Sequence, residues 1–261
     1  MTTINRFINW NNKQGMQYSL ILLWMLAMIS LPIMKWSFGQ DIIPIAVTLA
    51  LIVQFGAVFF IMVTHLSWGR TSIIFLLVAV STWGMEYLGS TTGFPFGDYN
   101  YTDVLQPQIG HVPLLIPLAW FMMLPPAWVI AQLITGRKRI IAYILVSALA
   151  ITAWDLFLDP QMVDWGFWIW KDSSGGYFGI PWSNYAGWLL TGTVVTVLVR
   201  PYRFELPEAP LLTVYSIVWF LQSIGLAIFW NQPAPALVGS LSMGILLLLG
   251  MWNYRKAILN D

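Results

Sequence analysis

A chain of 261 residues that is 58% hydrophobic and 9% charged cannot make the water-facing surface of a soluble domain, where about 25% of residues carry charge. The net charge of +1 gives no electrostatic footprint for nucleic acid. With no cysteine, disulfides, iron–sulfur clusters, thiolate-ligated haem and cysteine nucleophiles are all excluded.

The opening stretch, MTTINRFINWNNKQG, is polar and lacks the basic start, short apolar core and small-residue cleavage site of a signal peptide. The first apolar run is therefore read as a retained membrane helix. Eight runs, 17–34, 42–63, 71–88, 112–134, 140–158, 184–199, 211–229 and 234–253, approach the roughly 20 residues that carry a helix across a bilayer core. They are continuously apolar rather than alternating, which favours helices over a barrel. The expected fold is an all-α polytopic membrane protein of about eight helices. It forms a single integral membrane domain over residues 1–261, with a motif-bearing core at about 83–188. The sixth run is short and the last two lie close together, so seven spans is the alternative.

Basic residues set the orientation. With eight spans, Arg6, Lys13, Arg70, Arg137, Lys138, Arg139, Arg200, Arg203, Arg255 and Lys256 fall on one side, and only Lys35 and Lys171 on the other. That bias places both termini in the cytoplasm and agrees with an even number of crossings. The acids run the other way. Asp41, Glu86, Asp98, Asp103, Asp155, Asp159, Asp164 and Asp172 fall at or beyond the outer ends, and only Glu205, Glu208 and Asp261 lie inside. The two longest loops, 89–111 and 159–183, are also outer, and long loops in compact proteins are often functional.

Around these loops WGMEYLG…GFPFGDYNY and WDLFLDP…GGYFGIPWSNY echo each other. Each has an acid at a helix end, a glycine–aromatic–proline loop, then a tyrosine beside an asparagine. Asp155 and Asp159 are four residues apart and share a helix face. Pro160 disfavours helical geometry in the residue before it, which sets Asp159 at the helix end, and Glu86 sits similarly on the third run. Partial burial, a second acid nearby and the helix dipole all favour a neutral, proton-donating acid in such places. Ionisable residues inside spans are usually functional, so Asp155, Asp159, Glu86 and Asp98 are the candidate catalytic acids. Asp41, Asp103, Asp164 and Asp172 are expected to be solvated.

Other chemistries lack parts. The two histidines, His65 and His111, do not make the ligand spacings of membrane di-iron enzymes. GSTTGFPFG is not a dinucleotide fingerprint, there is no GxSxG, and no lysine lies mid-span for a Schiff base. An Asp-x-x-x-Asp pair could hold magnesium diphosphate, but only Lys35 and Lys171 are on that side to meet the phosphates. Carboxylic acids among tryptophans and tyrosines suit one task well: protonating an alkene and sheltering the carbocation on aromatic faces.

EYLGSTTGFPFGDYNY, AWDLFLDPQMV, GFWIW and GGYFGIPWSNYAGW, in that order over residues 83–188, resemble the membrane carotenoid-biosynthesis family of γ-carotene 1′-hydroxylases and bacterioruberin-pathway hydratases. The resemblance implies a cofactor-independent and metal-free hydratase. It would add water to the C-1′,2′ double bond of a linear ψ-end carotenoid: lycopene, γ-carotene or a C50 precursor. Asp155 or Asp159 would protonate C-2′. Trp154, Trp165, Trp168, Trp170, Tyr177, Tyr99 and Tyr101 would line the substrate end, and Glu86, Asp98 or Asn184 would orient the water. The implied partners are a carotenoid within the bilayer, water and other enzymes of the pathway, in a prokaryotic cell membrane or a thylakoid-type membrane. The competing readings are another membrane isoprenoid enzyme (a cyclase, elongase or prenyltransferase) and a non-catalytic carotenoid-binding protein.

Overall fold

The computed structural model describes residues 3–171 and 175–260. Asp172 and Asp261 lie outside the described residues. Eight α-helices follow one another: α1 (Thr3–Phe38), α2 (Ile43–Leu66), α3 (Trp68–Thr92), α4 (Leu115–Thr135), α5 (Ile140–Asp164), α6 (Trp182–Val199), α7 (Glu208–Ile224) and α8 (Pro233–Asn260). Seven are long and apolar enough to cross a membrane, so the chain is an integral, multi-pass membrane protein. The remaining helix, α6, has 18 residues. It packs closely on α5: a Cβ on Gly192 would stand 3.2 Å from the Ala148 Cα. Thr191 and Thr196 are buried within the protein, and Thr196 Oγ1 accepts the Trp128 indole N–H at 3.0 Å. The face of α6 that packs against protein in this way does not need to be apolar.

Three boundaries differ from those expected. Helix α1 begins well before residue 17, because its polar opening continues the helical turns. Val112 and Pro113 form a short strand rather than the start of α4. Most informative is α5, which runs through Pro160 to Asp164 instead of ending at Asp159. Proline cannot donate to the carbonyl four residues back. That carbonyl, on Leu156, instead accepts the Tyr177 hydroxyl at 3.1 Å. A donor from a later loop thus replaces the missing bond, and the helix continues.

Helices α4 and α5 form the centre of the bundle: α4 touches α2, α3, α5, α7 and α8, and α5 touches α4, α6, α7 and α8. At one end the two long loops are joined. Strand β1 (Tyr99–Tyr101) pairs antiparallel with β4 (Trp168–Trp170), matching Tyr99 with Trp170 and Tyr101 with Trp168. Thr102 N and Lys171 N extend the ladder to Phe167 O and Asp98 O. Within the first loop, β2 (Gln108–Ile109) and β3 (Val112–Pro113) form a second small pair. Beneath the clasp, fully buried Phe96 fits between two helices at glycines. A Cβ on Gly89 of α3 would meet its ring at 2.5 Å, and one on Gly187 of α6 would also collide with it.

At the opposite end, Lys13, His65, Gln132, Arg137, Glu208 and Tyr254 surround a polar cavity of about 720 Å³. The beginning of the chain and its last helix therefore meet at the same end of the bundle, as an even number of crossings requires. Asp41, Asp103 and Asp164 are exposed.

Candidate functional site

Three carboxylates are buried beneath the β1–β4 clasp. Asp155 is 0% exposed, Asp159 3% and Glu86 4%. They are close enough to feel one another's charge. Glu86, two turns before the end of α3, accepts three hydrogen bonds: from the Tyr99 hydroxyl at 2.5 Å, the Tyr101 hydroxyl at 2.8 Å and the Trp120 indole N–H at 3.2 Å. Strand β1 thus holds the acid of the helix that precedes it. Strand β4 does the same, since the Trp168 indole donates to Asp159 Oδ1 at 2.6 Å. Asn184, in the first turn of α6, joins the two aspartates. Its amide donates to Asp155 Oδ2 at 2.8 Å and also to Asp159 Oδ2.

Five of the six carboxylate oxygens therefore have a donor. The sixth, Asp155 Oδ1, is buried with no partner among the described residues, as is the Tyr185 hydroxyl. Burial first, and the charge of Glu86 second, hold the Tyr99 and Tyr101 phenols well above the usual tyrosine range. Both remain O–H donors across the physiological range.

Beside this layer is an apolar cavity of about 350 Å³ between α1, α2, α4, α5 and α7, within the size range of ligand pockets. Helix α5 faces it with Trp154, Leu158 and Gln161, the i, i+4, i+7 spacing of a single face, and Trp165, just past its end, lines it too. Asp155 and Asp159 are one residue further round the helix. They sit behind the cavity wall, which Trp154 and Trp168 form on this side. Trp154 meets Trp188 edge-on with centroids 5.9 Å apart, and Trp188 stacks on Trp120 at 4.1 Å. Indoles thus run from the cavity wall to the group that holds Glu86. The cavity reaches the outer rim where Trp36 of α1 meets Phe229 edge-on at 5.6 Å. Both rings are exposed.

Of the residues singled out in the sequence, Glu86 with Tyr99 and Tyr101, and Asp155 and Asp159 with Asn184 and Trp168, form two hydrogen-bonded groups in one buried layer, and Trp154, Trp165 and Trp168 line the cavity. Trp170 packs on Tyr99 with centroids 4.9 Å apart. Tyr177 is occupied in capping Leu156. Asp98 is set apart from the layer: its side chain is 58% exposed and pairs with Lys171 at 2.7 Å, a surface ion pair that removes it from the buried acids. Trp120 was not singled out, since an indole within an apolar run gives no signal of its own. Gln54, Gln161 and Gln222 also line the cavity, and amides inside greasy runs were a signal available to read.

A family model described as a carotenoid biosynthesis protein matches residues 46–246, which include the three buried carboxylates and the side chains that donate to them. The chain belongs to the carotenoid biosynthesis protein family. It is 30% identical over 187 residues to a bisanhydrobacterioruberin hydratase of Haloarcula japonica, an alignment covering 68% of this chain and 63% of that protein. The chain thus spans less than two thirds of the length of this relative. No solved structure matches it.

Proposed function

We propose that this carotenoid biosynthesis protein is a hydratase that adds water across the C-1′,2′ double bond of a linear carotenoid end. The observation that carries this reading is the single unpartnered oxygen, Asp155 Oδ1, in a buried acid layer that backs on to an apolar, tryptophan-walled cavity. A buried polar atom left without a partner costs about 1–3 kcal/mol, and here it is available for a proton that can be handed to substrate. The end of the polyene enters the cavity from the lipid and passes between Trp154 and Trp168 to reach that oxygen.

Asp155 transfers its proton to C-2′, and the π electrons of the double bond form the new C–H bond. The tertiary cation left at C-1′ is stabilised by the indole faces, by about 0.5–2 kcal/mol each. Water adds through its oxygen, and the proton it sheds returns to the carboxylate. The product is a tertiary alcohol, with no change in oxidation state overall. Asn184 and Trp168 place N–H donors on the aspartate oxygens where a divalent cation would need free lone pairs. This arrangement favours proton chemistry over magnesium-diphosphate chemistry.

The test is expression in a host that makes lycopene or γ-carotene, grown in heavy-oxygen water. A tertiary alcohol carrying solvent oxygen is expected. Label from dioxygen, a ring product or unchanged pigment would reject hydration. Asp155→Asn should leave the protein folded and pigment-binding while abolishing alcohol formation, and wild-type turnover in that variant would remove Asp155 from the mechanism.

A further inference from the structure

In the layer that holds the acids, Asp155 Oδ1 and the Tyr185 hydroxyl are without a partner among the described residues, but the groups expected from the sequence to orient the water are engaged. Glu86 is occupied by three donors, the Asn184 amide N–H groups by two aspartates, and Asp98 by Lys171 at the surface. The cavity wall does offer free groups. Gln161 and Gln222 are 3% and 8% exposed, and both line the cavity. Among the described residues, no side-chain hydrogen bond engages either amide. A third, Gln54, meets only the Met123 sulfur at 3.4 Å, a weak acceptor. Amides without partners are costly in an apolar enclosure, and a water there needs polar partners to stay. Gln161 also lies two residues after Asp159, on the α5 face turned to the cavity.

We propose that Gln161 and Gln222, from α5 and α7, form the site for the reacting oxygen: the water before addition and the tertiary hydroxyl after it. This rests on the hydratase reading. An amide neither gives nor takes a proton at neutral pH, so these are positioning residues. Each can donate N–H to the water oxygen or accept one of its O–H bonds. The water is thereby held on the cavity side of the cation, while the acid works from behind the wall.

The two steps can be read separately in deuterium oxide. Protonation of the alkene followed by loss of a proton returns an alkene carrying deuterium, whereas capture by water gives the alcohol. Membranes containing the full chain are supplied with lycopene, and each variant is first checked for bound pigment by its visible spectrum. Wild type is expected to give mainly deuterated alcohol. Gln161→Met and Gln222→Met, near in size but unable to hold water, should keep depositing deuterium in recovered alkene. Their ratio of alcohol to deuterated alkene should fall about tenfold, in keeping with the loss of one hydrogen bond. Gln161→Ala leaves room for a water and should recover part of the alcohol. A wild-type ratio in both methionine variants would overturn the assignment. So would an equal fall in alcohol and deuterated alkene in both the methionine and alanine variants, which would mark the glutamines as packing. Wild type that gives neither alcohol nor deuterium uptake would defeat hydration itself, visibly before any variant is made, and the glutamine assignment with it.

Discussion

Glu86 shows how a membrane protein can keep a carboxylate where no water reaches it: three donors, two from one strand and one from a neighbouring helix, converge on two oxygens. Tyr99→Phe should remove the shortest of these bonds at a cost of about 1–3 kcal/mol, measurable as a lower melting temperature in detergent. The phenol also sets a pH limit. Its folded-state value lies above the ordinary one, so the unfolded chain releases this proton first as pH rises. Stability should be insensitive to Tyr99 below about pH 10 and fall above it. Tyr99→Phe should show a shallower alkaline fall, and an unchanged slope would mean that the phenol is not held as described. The acids themselves were legible in the sequence because charge is scarce in this chain and each carboxylate stands out. The indole that completes the Glu86 shell was not, because one tryptophan among 16 does not reveal which way its N–H points.

Between elements, the close approaches are made at glycine. Phe96 enters from the first outer loop and occupies the space that side chains at positions 89 and 187 would otherwise take, so α3 and α6 are spaced by one ring. Gly187→Ala should force that ring aside and cost about 1–3 kcal/mol. Pairing it with Phe96→Leu should recover much of the loss, a coupling that thermal melts of the two single variants and the double variant would measure. Additive effects would show that the ring and the glycine do not meet. Helix number and type were readable from apolar run length alone. The end of α5 was not, because the local rule for proline is correct and was overridden from afar. The Tyr177 hydroxyl arrives from a loop whose path no run of residues predicts. Strands β1 and β4 were equally hidden, since three-residue segments carry no periodicity.

On the scale of the molecule, the polar and acidic ends are separated as the charge bias implies. The chain has no cysteine, so single-cysteine variants report accessibility without background. Cysteines replacing Lys13 and Asn253 should react with an impermeant thiol reagent only from the cytoplasmic side. One replacing Gln106 should react only from the opposite side, and a mixed pattern would refute the eight-crossing arrangement. The β1–β4 clasp has a mechanical consequence. The tyrosines gripping Glu86 and the tryptophan gripping Asp159 stand on strands zipped to each other, so neither grip can loosen alone. A guest pressing on Trp168 from the cavity therefore tugs both acids at once, and two loops more than sixty residues apart in the chain answer as a single jaw.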